Sequence, residues 1–453
     1  MPTQPLPPRS RGNWEARMAE DAALRSRVGH LRLKDDYSEL LPATLDEHAQ
    51  GSVLLRVPYL LGNSPERWFW SDLGQHIGEN GKVIPPELPP TELDYFDNKG
   101  TVGLVGCRSA GGGSFSIGGF AAASGVGELA ANFAVEKAAR ASNYAKINGF
   151  RSEIDGLGHW LDLWAHRTTM TFPNDGTPMS VTTTMEVPPD LRLAGRLNLR
   201  ATVRGTAPSS QEPEVRYTSR TLLQTYTTSE RDWAEHLQVH RAMRDLLRIA
   251  IWKPVSFLGH EVTSDKEKIA IRSDTEPRSR WCEVKTAATG MGPAVWGKSE
   301  RPLFVFADIK SSGVRKWLKF GEENRRGLRP FLRLLDIREG TIDEHMAQLG
   351  IALEAFGYQA FLDSGTSAAR ADKKTMEQRV RKIVQQVTSC VPAIPATFAK
   401  DLADGYNAVK HANRPDPDPA DLVANYRLGV KVVRAWIALN LGASESVIAE
   451  RLN

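Results

Sequence analysis

The chain has three cysteines in 453 residues, Cys107, Cys282 and Cys390, far apart in sequence. That excludes a disulfide framework, a zinc knuckle and a vicinal redox pair, and it fits a reducing compartment. No run of about 18 apolar residues occurs, so no membrane-spanning helix is expected. The first residues, MPTQPLPPRSRGNWEARMAED, lack the apolar core of a secretory signal, and a cytoplasmic location is expected. Neither the His-Glu-x-x-His pattern of zinc peptidases nor the Gly-x-Ser-x-Gly elbow of serine hydrolases is present. A formal charge of +4 permits a polyanionic partner without demanding one. What remains, 41% apolar and 25% charged residues, is the composition of an ordinary globular protein large enough for two or three domains.

The texture changes along the chain. Residues 1–30 read as a polar tail and residues 31–310 as mostly strands. Ser52–Leu61, Thr101–Cys107, Ser114–Phe120, His166–Phe172 and Ser180–Val187 are short, β-branched and bounded by turn residues. Leu191–Gly205 alternates apolar and polar residues as one half-solvated strand would, and Asn174–Thr177 is a hairpin signal. Two helices are expected inside this region, an Ala-rich one over Gly127–Asn143 and an amphipathic one over Glu230–Trp252. Residues 311–453 read as helices with short links. Val314–Asn324, Thr341–Phe361 and Lys374–Cys390 are followed by a helix begun near Pro395 and another begun at Asp418-Pro419, ended by Gly442. The fold class expected is α+β, a β-rich N-terminal region followed by an all-α up-and-down bundle.

Several motifs weaken in context. Gly292-Pro-Ala-Val-Trp-Gly-Lys-Ser299 satisfies the phosphate-loop pattern, followed by the apolar run Leu303–Asp308. The pattern works only between a strand and a helix whose N-terminal amides hold phosphate, and here Pro302 and a strand-like run follow. The glycines between Gly100 and Gly127 open no helix and suit a hairpin. His236 and His240 have a metal-compatible spacing on a helix, but without a third ligand nearby an exposed helix face is the better reading, and no metal site is expected.

Positive charge concentrates in the helical half. Between Arg315 and Arg338 eight Lys or Arg residues stand against three acids, and Arg370–Lys382 holds six against two. A solvated helix face explains either segment alone. Beside them lies Tyr406-Asn-Ala-Val-Lys-His411, at the end of a helical stripe and before the stiff loop Pro415–Ala420.

This motif resembles the Arg-x4–6-His signature of HEPN domains, often written Arg-Asn-x-x-x-His. Three further segments are similar to the ApeA-type HEPN proteins of bacterial anti-phage defence. Phe150–Leu163 resembles their Gly-Leu-x-x-Trp-Leu segment, RPLFVFADI with VRKWLKFGEE the junction ahead of the helical part, and Leu349–Phe361 the helix carrying Ala-Leu-Glu-Ala. The order of these segments, spread over Leu31–Leu441, carries the resemblance.

The resemblance implies an anti-phage, abortive-infection protein. Its β-rich part (31–310) would answer a phage-derived trigger and restrain a C-terminal HEPN-like endoribonuclease (311–453) that needs no metal or other cofactor. It also implies RNA as partner and substrate, tRNA among the candidates, and a homodimer whose two motifs form one site. His411 would move the proton of a ribose 2′-OH or of the leaving 5′-oxygen, and Asn407 would orient it or bond the phosphate. The expected Arg is replaced by Tyr406, whose phenol carries no charge. Arg414 or Lys410 would then have to supply the cation, with Arg414, folded back by the loop toward the phosphate, the favoured one. Lys374, Arg379, Arg381 and Lys382 are the candidate RNA contacts. The alternative is a catalytically degenerate HEPN protein that regulates by binding RNA or protein.

Overall fold

The computed structural model describes residues 25–32, 40–48, 51–60, 76–77, 80, 82–84, 88–110, 124–172, 180–206, 217–269, 277–289, 292, 296–297, 300–337 and 339–452. The chain is α+β: antiparallel strands dominate up to Lys285 and helices follow from Phe306. By its internal contacts it forms two units, one from Met1–Ser152, Thr227–Glu235 and Phe257–Pro293, the other from Glu153–Tyr226, His236–Ser256 and Ala294–Asn453.

The first unit is built on antiparallel strands hydrogen-bonded in the order Phe257–Thr263, Cys282–Lys285, Phe133–Glu136, Gly100–Val105, Glu92–Asp97, Arg25–Arg32, Leu40–Glu47, Val53–Leu60, Ser124–Ala131, Arg108–Ser109. Its first strand starts at Arg25, inside the stretch read as a tail. Alternating positions bury Leu31, Leu45, Leu55, Val57, Tyr95, Leu104 and Leu129 in one apolar cluster. Arg27 reaches across strands to Asp97 through Nε (2.7 Å) and Nη2 (3.1 Å), and to Glu47 (3.1 Å) and Glu136 (2.6 Å). The Ala-rich stretch expected as a helix is instead the strand Ser124–Ala131, the strand Phe133–Glu136 and a short turn. Pairing against Val53–Leu60, with Leu129 opposite Leu55, overrides the weak preference of alanine for helix. The glycines Gly111, Gly112, Gly113, Gly118 and Gly119 and the strand expected at Ser114–Phe120 lie outside the described residues.

The second unit holds the helices. They are α1 (Leu157–Leu161), α2 (Trp233–Ile251, mostly in this unit), α3 (Phe306–Glu323), α4 (Arg325–Arg333), α5 (Ile342–Asp363), α6 (Ala368–Asp372), α7 (Met376–Val387), α8 (Phe398–Lys410), α9 (Pro419–Leu441) and α10 (Glu445–Arg451). Capping residues set several starts. Thr341 and Thr375 accept the amides of Glu344 and Gln378 (both 3.3 Å), whose side chains reach back to the cap amides. The run Leu303–Asp308 is not a strand, because the Asp308 carboxylate accepts the Val305 amide (2.7 Å) and opens α3 at Phe306. Position 311 follows a break in α3 at Lys310, whose φ is 54°.

Helices α5, α7, α8 and α9 pack against one another as a four-helix bundle. Along α5, Met346, Leu349, Leu353 and Phe356 are fully buried, each contributing about 2 kcal/mol of apolar burial. Arg434 of α9 donates to the carbonyls of Ile249 (3.0 Å) and Ala250 (2.8 Å), satisfying the C-terminal end of α2. Leu191–Gly205 is two strands, Leu191–Arg192 and Arg200–Thr206, split by a turn in which Leu197 and Asn198 have positive φ. His166–Thr171 and Ser180–Met185 pair as expected, while the tip at Asn174–Thr177 lies outside the described residues.

In the first unit His260 is buried, its Nδ1 2.9 Å from Ser152 Oγ and its ring stacked on Phe150. Burial drives its pKa down from 6.5 to about 3. Between those values the unfolded chain binds a proton that the folded chain refuses, so stability falls as pH falls through 6.5. His260→Gln removes that dependence. The stability advantage of wild type over the variant in denaturant unfolding should shrink by about 2 kcal/mol between pH 7 and pH 5; a constant difference would show that His260 is not held neutral.

Candidate functional site

Helix α8 buries Phe398, Leu402 and Tyr406 and ends at His411, whose backbone is extended (φ −123°, ψ 108°) while its amide still reaches the Asn407 carbonyl at 3.0 Å. A turn follows, closed by the Arg414 amide on the His411 carbonyl (3.0 Å). The Asp418 carboxylate then accepts the Ala420 amide (2.7 Å), and Pro419 opens α9. Lys410, His411 and Arg414 are exposed and Asn407 is half-buried. Cationic and imidazole side chains at a helix C-terminus also suit its dipole.

Tyr406 is different. It is 5% exposed, and its ring lies so close to α5 that a Cβ on Gly350 would fall 2.1 Å from Cδ2. Its hydroxyl donates to Glu354 Oε2 at 3.4 Å, and the other Glu354 oxygen lies 3.7 Å from Arg379. Burial, reinforced by the Glu354 charge, pushes the Tyr406 phenol up to about 12, so it stays neutral. The position where the resemblance implies an arginine therefore holds an uncharged ring that locks α8 to α5. Lys410 stands over this ring, its Nζ 5.5 Å from the centroid.

A groove of about 640 Å3 lies beside the motif. Asn407 and Arg414 line it with five aspartates, Asp401, Asp404, Asp416, Asp418 and Asp421, whereas Lys410 and His411 do not. The carboxylates outnumber the one guanidinium, so the groove repels phosphate. Arg414 thus faces the acidic loop, and Lys410 is the cation on the Tyr406 side. Among the described residues no group of three or more His, Cys, Asp or Glu side chains could hold a metal ion.

The four candidate RNA contacts around α7 differ in availability. Arg379 is drawn inward. Its Nη2 donates to the Asp372 carbonyl (3.2 Å), its guanidinium lies over the Tyr358 ring, and Gly357 leaves room for its backbone. Arg381 is paired with Glu377 one turn earlier. Lys374 and Lys382 both fold over the Phe361 ring, at 5.3 and 5.6 Å.

Two other stretches resolve plainly. His236 and His240 are not on an exposed face; both are fully buried and both bond the Thr225 hydroxyl, at 2.8 and 3.0 Å. The strand carrying Thr225 covers that side of α2, which the helical spacing of the two histidines could not reveal. In the phosphate-loop-like stretch, the Trp296 amide donates to the Asp155 carboxylate (2.9 Å), an anion supplied by the protein itself. The indole packs on Gly156, where a Cβ would come within 2.0 Å and φ is 75°. Residues Glu300–Val305 form no helix.

Two of the segments that carry the resemblance meet in space: Trp160 of α1 donates to the Phe304 carbonyl at 3.0 Å and meets the Phe306 ring edge-on. Residues 61–320 match the family ApeA N-terminal domain 1, more than half of the chain. The protein belongs to that family, and is an ApeA-type protein of anti-phage defence. No curated protein and no solved structure matches it.

Residue-type reasoning missed Gly350 and Glu354. Their signal was present as a glycine and an acid in the apolar stripe of a long helix, next to Leu349 and Leu353. Gly350→Ala gains about 1 kcal/mol of helix propensity. It also drives a methyl into an enclosed ring, at a cost of about 1–3 kcal/mol. The clash should win and lower the unfolding temperature; a higher one would show that Tyr406 can move. Tyr406→Phe, losing only a long hydrogen bond, should stay within about 1 kcal/mol of wild type.

Proposed function

We propose that the C-terminal bundle is a HEPN-type, metal-independent endoribonuclease acting on tRNA or another cellular RNA. In this reading the N-terminal part restrains it until a phage-derived trigger is met. The observation that carries the proposal is the end of α8, where His411, the exposed Lys410 and the half-buried Asn407 lie within about one helical turn in a chain of the ApeA family.

The chemistry is proton transfer plus charge stabilisation. An imidazole removes the proton of a ribose 2′-OH, the oxygen attacks the adjacent phosphorus, and the bond to the 5′-oxygen breaks. The leaving oxygen takes a proton, and the products are a 2′,3′-cyclic phosphate and a 5′-hydroxyl. One histidine performs one transfer, and the same residue of a second protomer performs the other, which requires a homodimer through the helical domain. Lys410, rather than the expected Arg414, supplies the cation for the phosphoryl oxygens, because Arg414 lines a groove rich in aspartates. Asn407 holds the helix end through its carbonyl.

A second reading, a degenerate HEPN protein that regulates by binding RNA or protein, is favoured by the neutral, buried Tyr406 and the acidic groove.

The experiment is RNA cleavage in EDTA by trigger-activated protein. His411→Ala should abolish cleavage, and Lys410→Ala should lower turnover by about 10- to 1,000-fold. Arg414→Ala, with unchanged stability, should have the smaller effect of the two cations. Undiminished cleavage by His411→Ala would remove the assignment. RNA binding without cleavage by activated wild type would favour the regulator.

A further inference from the structure

The basic charges of α7 and of α4 are engaged to different degrees. Those of α7 are held by Glu377, by backbone carbonyls and by the Phe361 ring. Helix α4, RRGLRPFLR, carries Arg325, Arg326, Arg329 and Arg333, all exposed, with no acid of its own. Among the described residues no carboxylate pairs with any of them. Arg325, Arg329 and Arg333 recur every four residues, so three guanidinium groups stand along one face in steps of about 6 Å. On α3, Arg315 and Lys316 are also exposed.

The other face of α4 is already used. Leu328, Phe331 and Leu332 are buried, and Gly327 lies so close to α5 that a Cβ would meet Phe356 at 2.7 Å. A membrane-surface helix keeps an apolar face for lipid, and α4 has none to offer. Guanidinium forks without Lys, acid or apolar neighbours match the bidentate geometry of phosphate. We propose that the arginine face of α4 is a phosphate-backbone docking surface for folded RNA, an inference that rests on the RNase reading of the same bundle.

The geometry also fixes the kind of RNA. On α5, Ala352 and Phe356 meet α4, while Gly350 and Glu354 meet α8. At 100° per residue these pairs point about 160° apart, so α4 and α8 flank α5 on nearly opposite sides. With about 8–10 Å between packed helix axes, the axis of α4 lies roughly 16–20 Å from that of the His411 helix, and the arginine face lies beyond it. A single nucleotide, or a tetramer stacked at about 3.4 Å per nucleotide, falls short of that span, whereas a stem-loop covers it. Neutralising a backbone this way adds affinity but little base specificity.

The test uses the full chain with His411→Ala, so that RNA survives, and measures affinity for a deacylated tRNA and for a tetraribonucleotide across a salt series. Arg325→Glu with Arg329→Glu and Arg333→Glu should weaken tRNA binding at least tenfold. The triple change should also flatten the salt dependence by about two to three ions, leave tetranucleotide binding unchanged, and leave the unfolding temperature unchanged. Charge-neutral Arg→Gln replacements at the same positions guard against misfolding and should show the same direction. Unchanged tRNA affinity and salt slope would overturn the surface. Binding to anionic vesicles or to an acidic protein, without binding to tRNA, would overturn it equally. Cleavage by the triple variant on the His411 background restored, with tRNA affinity intact, leaves the RNase reading standing alone; tRNA binding lost in the variant while wild type never cleaves leaves the surface standing alone.

Discussion

The contact on which the site-bearing bundle depends is the seating of the Tyr406 ring in the notch left by Gly350. Without a side chain at Gly350, α8 approaches α5 closely enough for the ring to be enclosed, and only then does the phenol meet Glu354. The same carboxylate faces Arg379, which in turn satisfies carbonyls near the end of α6. Three helices are tied through one acid. The Glu354 carboxylate keeps access to solvent, so no single arm dominates, and the enclosed Tyr406 ring is the main tie. The end of α8, with Lys410 and His411, is presented to solvent from this fixed base.

That arrangement separates two jobs that one arginine would combine. The residue before Asn407 serves packing, and in the proposed nuclease the cation near the histidine would come from elsewhere on the helix end. Lys410 is held over the Tyr406 ring, while Arg414 lines the acidic groove. The groove's carboxylates and the arginine face of α4 give the bundle charge of opposite sign on different sides. Under the proposed docking, a polyanion would be steered to α4 and kept off the loop that follows His411.

The helical half was largely legible in the sequence because its signals are local. Thr341, Thr375, Asp418, Pro419 and Gly442 each act within one turn of the residue that carries them. The β-rich half was legible as strands but not as topology, since the pairing of Phe133–Glu136 with both Gly100–Val105 and Cys282–Lys285 leaves no local trace. The Ala-rich strand at Ser124–Ala131 and the buried histidines of α2 misled for the same reason: partners distant in sequence set their environment. At the site, the family resemblance singled out Asn407 and His411 as candidates and flagged Tyr406 as discordant. Why Tyr406 is there required Gly350 and Glu354, two turns of another helix.

The central claim is that an ApeA-type protein cuts RNA with a histidine at the end of α8 when a phage is sensed. The most direct measurement is sequencing of cellular RNA ends, captured through 2′,3′-cyclic phosphates, during phage challenge of cells carrying wild type or His411→Ala. The account predicts new, discrete cyclic-phosphate ends in infected wild-type cells, absent before infection and absent with the variant. The same ends appearing with His411→Ala, or none appearing with a wild type that still protects its host, would contradict it.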